Sequence, residues 1–259
     1  SYEDFKRLPI IDISKDHQIL IADFLDEKTA KIEAAIVIKE QQIALLKERK
    51  QIMTQLSLTQ GLNPDVPMKD SGVDWIGKVP THWETKRLKY VLSERSERSV
   101  TGIEPLLMMS QVHGLVVRSE FHEKAEVASS AIGNKIVRRG DLVFNKLKAH
   151  LGVFFKSEIE SNGIVSPDYA VYLGNSTIPD LKYLELLFRN PIYLEQFIIR
   201  ATGIVEGLIR LYTGDLFDIF VPIPPLNEQK QILREIGLKA SAIDRAIDIY
   251  NAEIITLRE

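Results

Sequence analysis

The sequence predicts an α/β (α+β) globular unit flanked by two long helices that pair as an antiparallel coiled coil. Three observations predict it. Residues 8–48 reappear near the C-terminus as residues 221–259, with Pro9 matching Pro222 and Gln18-Ile19-Leu20 matching Gln231-Ile232-Leu233. Both copies carry apolar residues at alternating steps of four and three, the signature of a helix that needs a partner helix. Between them lies a stretch of short β-prone runs broken by Gly, Asn and Asp turns. A repeat separated by most of the chain is no solenoid.

The first copy reads as one helix over residues 17–60. Leu25, Thr29, Ile32, Ile36, Lys39, Ile43, Leu46, Lys50 and Met53 form the seam, with no Gly or Pro inside. Ser14 is placed as its N-cap, and Gly61 followed by Pro64 ends it. In the second copy Ile243, Ile247, Tyr250, Ile254 and Leu257 take the seam positions. That helix is expected to begin near Glu228, after Pro224-Pro225 and with Asn227 as cap.

In between, residues 64–82 read as an ordered loop. Strands are expected at Leu106–Met109, Gly114–Val117, Lys135–Val137, Asp141–Phe144, Gly152–Phe155 and Tyr169–Leu173. Leu181–Arg189 and Ile192–Ala201 have helical period and are joined across Asn190-Pro191. No strand–glycine loop–helix unit suggests a nucleotide fold.

Composition narrows the function classes. The chain has 259 residues, 45% of them apolar and 27% charged, which is ordinary for a soluble protein. No apolar run approaches the roughly 20 residues that span a bilayer, and no secretion leader is visible. A cytoplasmic location fits. With Cys 0, disulfides and Cys-ligated zinc are excluded. The net charge of −3 hides an asymmetry: Trp75 to Lys156 holds 14 Lys/Arg against 8 Asp/Glu, and the remainder 19 against 28. A basic middle inside an acidic chain is the pattern of one face meeting phosphate, although a randomly solvated surface explains the charge equally well.

Two motifs invite an enzymatic reading. Asn190-Pro191-Ile192-Tyr193 resembles the Asn-Pro-Pro-Tyr tetrad with which amino-methyltransferases hold a flipped adenine. Ile stands at its third position and no upstream glycine loop for S-adenosylmethionine exists, so a helix break explains it better. Asp74 with Glu84-Thr85-Lys86 echoes the spacing of metal-dependent nucleases, a pattern common by chance in a charged chain. The histidines, His17, His82, His113, His122 and His150, show no metal-ligand spacing. What remains is a set of basic, amide and aromatic side chains able to meet phosphate and base edges: Lys86, Arg87, Lys89, Gln111, His113, Arg138, Arg139, Asn145, Lys146, Lys148, His150, Arg210 and Tyr212. Arg210 and Tyr212 are placed in a polar loop after Gly207.

Met-Lys-Asp-Ser-Gly-Val-Asp-Trp-Ile-Gly (68–77), Val-Pro-Thr-His-Trp-Glu (79–84) and Arg-Leu-Lys (87–89) resemble the opening of a target-recognition domain in specificity subunits of type I restriction–modification systems. Gly-Asp-Leu-Val-Phe-Asn-Lys (140–146) and Gly-Ile-Val-Ser-Pro-Asp-Tyr-Ala-Val (163–171) resemble two internal stretches, and residues 221–229 resemble its close. The resemblance covers nearly the whole chain, in family order. It implies a non-catalytic subunit that reads one half of a bipartite duplex DNA target through its recognition domain, with spacer helices setting the distance to a second domain. It further implies methyltransferase and restriction subunits as partners, with S-adenosylmethionine, ATP and Mg on those partners and no cofactor here. The alternative is a self-sufficient DNA enzyme, an adenine methyltransferase or a Mg-dependent nuclease.

The chain departs from the family plan in holding one recognition domain, residues 61–224. It lies between a spacer helix at 17–60 and a second, shorter one at 225–259, and residues 1–16 look like the remnant of a preceding domain. The expectation is a half or truncated subunit. The early stop of the final helix favours truncation, while a finished half-subunit could recover two heads by dimerising.

Overall fold

The computed structural model describes residues 13–111, 113–121, 131–203 and 210–259. They fall into two compact units: Ile52–Leu238, and the helical segments up to Gln51 and from Lys239 onward. Residues 1–12 of the expected remnant of a preceding domain, Gly207 and His122 lie outside the described residues; Lys15 and Asp16, also assigned to that remnant, belong to the first long helix, and of His150 only the backbone is described.

The helical unit is built from the long helix α1 (Lys15–Gln60) and the final helix, α5 (Leu226–Arg258). Ser14 starts α1, its hydroxyl accepting from the His17 amide and its carbonyl from the Gln18 amide. The helices run antiparallel, because Lys39 pairs with Glu253 at 2.6 Å while Lys50, further along α1, pairs with Asp244 at 2.7 Å, nearer the start of α5. Glu40 meets Arg258 at 3.1 Å. Ile43 and Ile254 are buried between them, with Ile36, Leu46, Ile243, Ile247, Tyr250 and Leu257 half-buried. Lys39 and Lys50 occupy seam positions, and polar residues there fix register, since any slip strands them against apolar neighbours.

Leu25 and Ile32 behave differently from expectation, at 54% and 39% exposed. The last ion pair along the seam joins Glu40 to Arg258, so α5 has no described residue left to face them. Asn227 is also not the cap of α5. The helix opens at Leu226, two residues before Glu228, with the Pro225 carbonyl accepting from the Gln229 amide.

The globular unit is organised by a four-stranded antiparallel sheet in the order β4-β11-β8-β9, comprising β4 (Leu92–Glu94), β8 (Leu142–Asn145), β9 (Phe154–Lys156) and β11 (Tyr169–Gly174). Side chains alternate across a strand, and here both sides are apolar. Leu142, Phe144, Phe154, Ala170 and Tyr172 enter a large core with Trp83, Tyr183, Phe188, Tyr193 and Phe197. Val143, Phe155 and Val171 enter a smaller core with Leu107, Leu115, Val137, Val153 and Val165. A sheet covered on both faces explains why Leu142-Val143-Phe144 is a continuous apolar run. Phe144 stacks on Phe154 with centroids 4.1 Å apart.

The remaining strands form two-stranded ribbons. These pair β1 (Met68–Asp70) with β2 (Lys78–Pro80), β3 (Glu84–Arg87) with β12 (Phe220–Ile223), β5 (Leu107–Ser110) with β6 (Gly114–Val117), and β7 (Lys135–Val137) with β10 (Gly163–Val165). Short helices α2 (Lys182–Leu187), α3 (Pro191–Arg200) and α4 (Thr213–Phe217) complete the unit. Strands therefore occur where an ordered loop was expected over 64–82. Residues 146–151 form 3₁₀ turns kinked at Lys148.

Phe154→Ala is expected to lower the unfolding free energy by about 3–5 kcal/mol, whereas Leu25→Ala changes it by less than about 0.5 kcal/mol. Urea denaturation of the two variants checks both values.

Candidate nucleic-acid interface

The predicted polar residues fall into four places. The first is the β3/β12 ribbon, where Arg87 faces Phe220 across the strand pair. Lys86 pairs with Glu84 at 2.6 Å, and Arg87 and Lys89 share Asp218 at 3.2 and 3.6 Å. Lys86 holds the Glu84 carboxyl below its ordinary value. Thr85, Lys86, Arg87, Tyr90 and Phe220 line a groove of about 440 Å³. Three cations against two carboxylates leave this ribbon weakly positive.

The second place is the tip of the β5–β6 hairpin. Ser110 and Gly114 close it, with Gly114 in the left-handed region at φ 77°. Gln111 and His113 are exposed there, and the His113 ring lies 4.9 Å from Phe121. The third is the β7–β8 turn. Arg138 pairs with Glu97 at 2.8 Å and Arg139 with Glu160 at 2.6 Å, all four side chains exposed. Exposed pairs contribute little and exchange readily for another anion. Beneath them Arg95 holds Asp141 through two bonds of 2.8 and 2.9 Å, and Asp141 also accepts from the Arg138 amide. That bidentate pair fixes the turn.

The fourth place brings together residues far apart in sequence. At the end of β8 the chain enters the 146–151 turn, and the Lys146 carbonyl accepts from the Leu211 amide at 3.0 Å. Lys146, Arg210 and Tyr212 therefore share one patch, with exposed Lys148 adjacent in the turn. Arg210 pairs with Asp168 at 2.9 Å and lies 6.0 Å from the Tyr212 ring. Glu94 anchors the patch from β4: Lys135 donates to it at 2.9 Å, Thr213 donates at 2.8 Å, and Lys146 stands 3.7 Å away. Burial pushes the Glu94 carboxyl up, but the Lys135 and Thr213 hydrogen bonds outweigh it and hold the group below its ordinary value. Burial lowers the Lys146 ammonium value, and the nearby Lys135 and Arg210 charges add to that against the pull of Glu94.

Asn145 is 8% exposed, and its side-chain oxygen accepts from the Leu147 amide at 3.0 Å, which shapes the turn. Glu94, Lys135, Thr213, Asp168 and Arg95 were not singled out from sequence. Glu94 finds Lys135 and Thr213 at separations of 41 and 119 residues, which no spacing rule detects.

The enzymatic motifs take structural roles. Asn190 caps α3, its side-chain oxygen accepting from the Ile192 amide at 3.1 Å. Tyr193 is 1% exposed with its hydroxyl on the Phe220 carbonyl, so no base can stack on it. Glu84 is spent on Lys86, and among the described residues no three His, Asp or Glu side chains gather as a metal site. No described helix is long and apolar enough to cross a membrane.

No family model matches the sequence, and no curated protein matches it. Solved structures do. A chain of the structure titled as the basis of complex assembly and conformational transition of the type I restriction–modification system matches with TM-score 0.54 and 17% identity, over 90% of this chain and 56% of that one. The HsdS subunit from Thermoanaerobacter tengcongensis matches with TM-score 0.49 and 18% identity, over 90% of this chain and 55% of its own. The type I S subunit from M. genitalium gives TM-score 0.39 and 16% identity, over 95% and 58%. The first carries the fold assignment. The molecule is thus an α+β head between two long helices, and its fold is that of a type I restriction–modification chain. It spans little more than half the length of each of these structures.

Because the Glu94 value is lowered on folding, the stability it supplies is complete above its ordinary value of 4.5 and is lost as pH falls through the folded value. Glu94→Gln should therefore cost stability near about pH 7 and much less near about pH 3. A cost equal at both pH values in urea titrations contradicts this assignment.

Proposed function

We propose that the chain is the DNA sequence-recognition subunit of a type I restriction–modification complex, reading one half of a bipartite target. The observation that carries this reading is the arrangement itself: one head inserted between two antiparallel helices, a fold shared with a chain of that system. The exposed cations and amides support it. Lys148, Arg138, Arg139 and Arg210 suit phosphate, and Gln111 and His113 on a hairpin tip suit base edges in a major groove, which admits a two-stranded ribbon. In this reading residues 61–224 are the recognition head and residues 17–60 and 225–259 are the spacer helices.

The subunit performs no chemistry. Its partners are duplex DNA, a methyltransferase subunit that would flip the target adenine, and, through the complex, a restriction subunit. S-adenosylmethionine, ATP and Mg belong to those partners, and the complex works in the cytoplasm. A second copy of the chain is one source of the other head. The self-sufficient enzyme has no support from Asn190 or Glu84, whose side chains cap a helix and pair with a lysine.

Contacts to phosphate release counterions, so affinity must fall with salt. Lys148→Gln should weaken duplex binding about equally for all sequences and reduce the slope of log K against log salt by about 1. Gln111→Ala should instead relax preference at one position, costing about 1–3 kcal/mol against the preferred base. Fluorescence-anisotropy titrations at several salt concentrations check both, and an unchanged Lys148→Gln slope removes that residue from the interface.

A further inference from the structure

The patch around Lys146 holds more cation than its carboxylates neutralise. Among the described residues, Lys135 and Lys146 meet Glu94, Arg210 meets Asp168, and Lys148 is exposed beside them in the turn. The two carboxylates are not equivalent. Asp168 is 58% exposed and pairs with Arg210 at the surface, a contact of small net value that phosphate can replace. Glu94 is 30% exposed and sits deeper, with its oxygens already committed. One accepts from Thr213 at 2.8 Å and the other from Lys135 at 2.9 Å, whose side chain is 8% exposed.

Lys146 receives the poorer share of that carboxylate. Its nitrogen lies 3.7 Å from the oxygen that Lys135 already holds, beyond hydrogen-bond length, while its side chain is only 17% exposed. It is a desolvated ammonium with half a partner and two cations, Lys135 and Arg210, close enough to raise the cost of its charge. The turn that carries it is tied to the Arg210–Tyr212 segment by the Leu211 amide. A phosphate seated between Lys146 and Arg210 would meet two positioned donors. Glu94 would keep Lys135 and Thr213, so no buried charge is stranded when Lys146 leaves.

Resting on the DNA reading above, we propose that Lys146 and Arg210 form a preorganised phosphate seat, and that Glu94 is the residue that sets how readily it fills. Every phosphate contact made there must first draw Lys146 from the carboxylate. The cost is the same for any duplex, so it weakens binding to sequences that offer no compensating base contacts. Specificity is a difference of affinities, which a uniform cost leaves unchanged; its effect is to keep the seat largely unfilled, and affinity low, on duplex that offers no base contacts to offset it.

The test is a titration of the full chain with a random-sequence duplex across a salt series. Glu94→Gln is expected to tighten binding about three- to tenfold and steepen the log K against log salt slope by about 0.9, one added phosphate contact. In a Lys146→Gln background the same substitution should change neither. A purely structural role for Glu94 would lower stability without moving the slope. If Glu94→Gln fails to fold, Glu94→Gln/Lys135→Gln replaces the ion pair by an amide pair and is expected to show the same steeper slope. Duplex binding with equal slopes in wild type and variant overturns the proposal and leaves the DNA reading standing. No duplex binding by the wild type at low salt overturns the DNA reading, and this proposal with it.

Discussion

The Tyr183 hydroxyl, wholly buried, lies 3.0 Å from both the Leu58 and the Pro222 carbonyl oxygens. One side chain thereby joins the last turns of α1, the strand that leads into α5, and the short helix α2. Beside it, Glu228 in the first turn of α5 accepts from the Trp83 indole at 3.0 Å and meets His82 at 2.7 Å. Gln229 donates to the Thr177 and Pro224 carbonyls at 2.8 Å. Burial drives the Tyr183 phenol well above its ordinary value, so it stays a neutral donor. Buried polar groups are costly unless satisfied, and a satisfied network specifies one arrangement. The C-terminal turns of α1 and the first turns of α5 are both rooted in the head at this node. The segment where the chain leaves one helix is thereby held to the segment where it enters the other.

That constraint explains why the sheet can do what it does. With the helix roots and Trp83 closing the large core, β8 and β11 are apolar on both faces, and their ends are free to carry polar turns. The β7–β8 turn displays Arg138 and Arg139, and the opposite end of β8 leads into the Lys146 turn. A rigid strand thus separates two cationic sites, while the β5–β6 hairpin presents Gln111 and His113 at its tip. Arg95 on Asp141 and Glu94 on Lys135 hold these turns from inside. Such support keeps side chains in position before a ligand arrives, which limits the ordering cost of binding.

Much of this architecture was legible in the residues, and for identifiable reasons. The heptad seam and the separated repeat needed only local spacing, so α1 and α5 were found within two residues at their starts. Both cores draw on the β-prone runs, and strands such as β6 and β7 lie where their composition placed them. The ribbons β1–β2 and β3–β12 were missed because Lys69, Lys86 and Arg87 break any alternation, and only their partners make them strands. At the interface, single cations could be named but not their counter-charges. The burial of Asn145 was not legible either, because the turn it closes sets it. Leu25 and Ile32 follow the seam pattern that marks a paired helix, yet pairing requires a partner that reaches them.

The proposed role requires that a single head of this fold select one DNA half-site when mounted on a type I methyltransferase subunit. The most direct measurement is selection of bound duplexes from a random pool by the complex of the full chain with that subunit, followed by sequencing. Enrichment of one short half-site at a fixed position, lost when Gln111 and His113 are replaced by Ala, is the predicted result. Retention of duplexes with no enriched sequence would contradict the account.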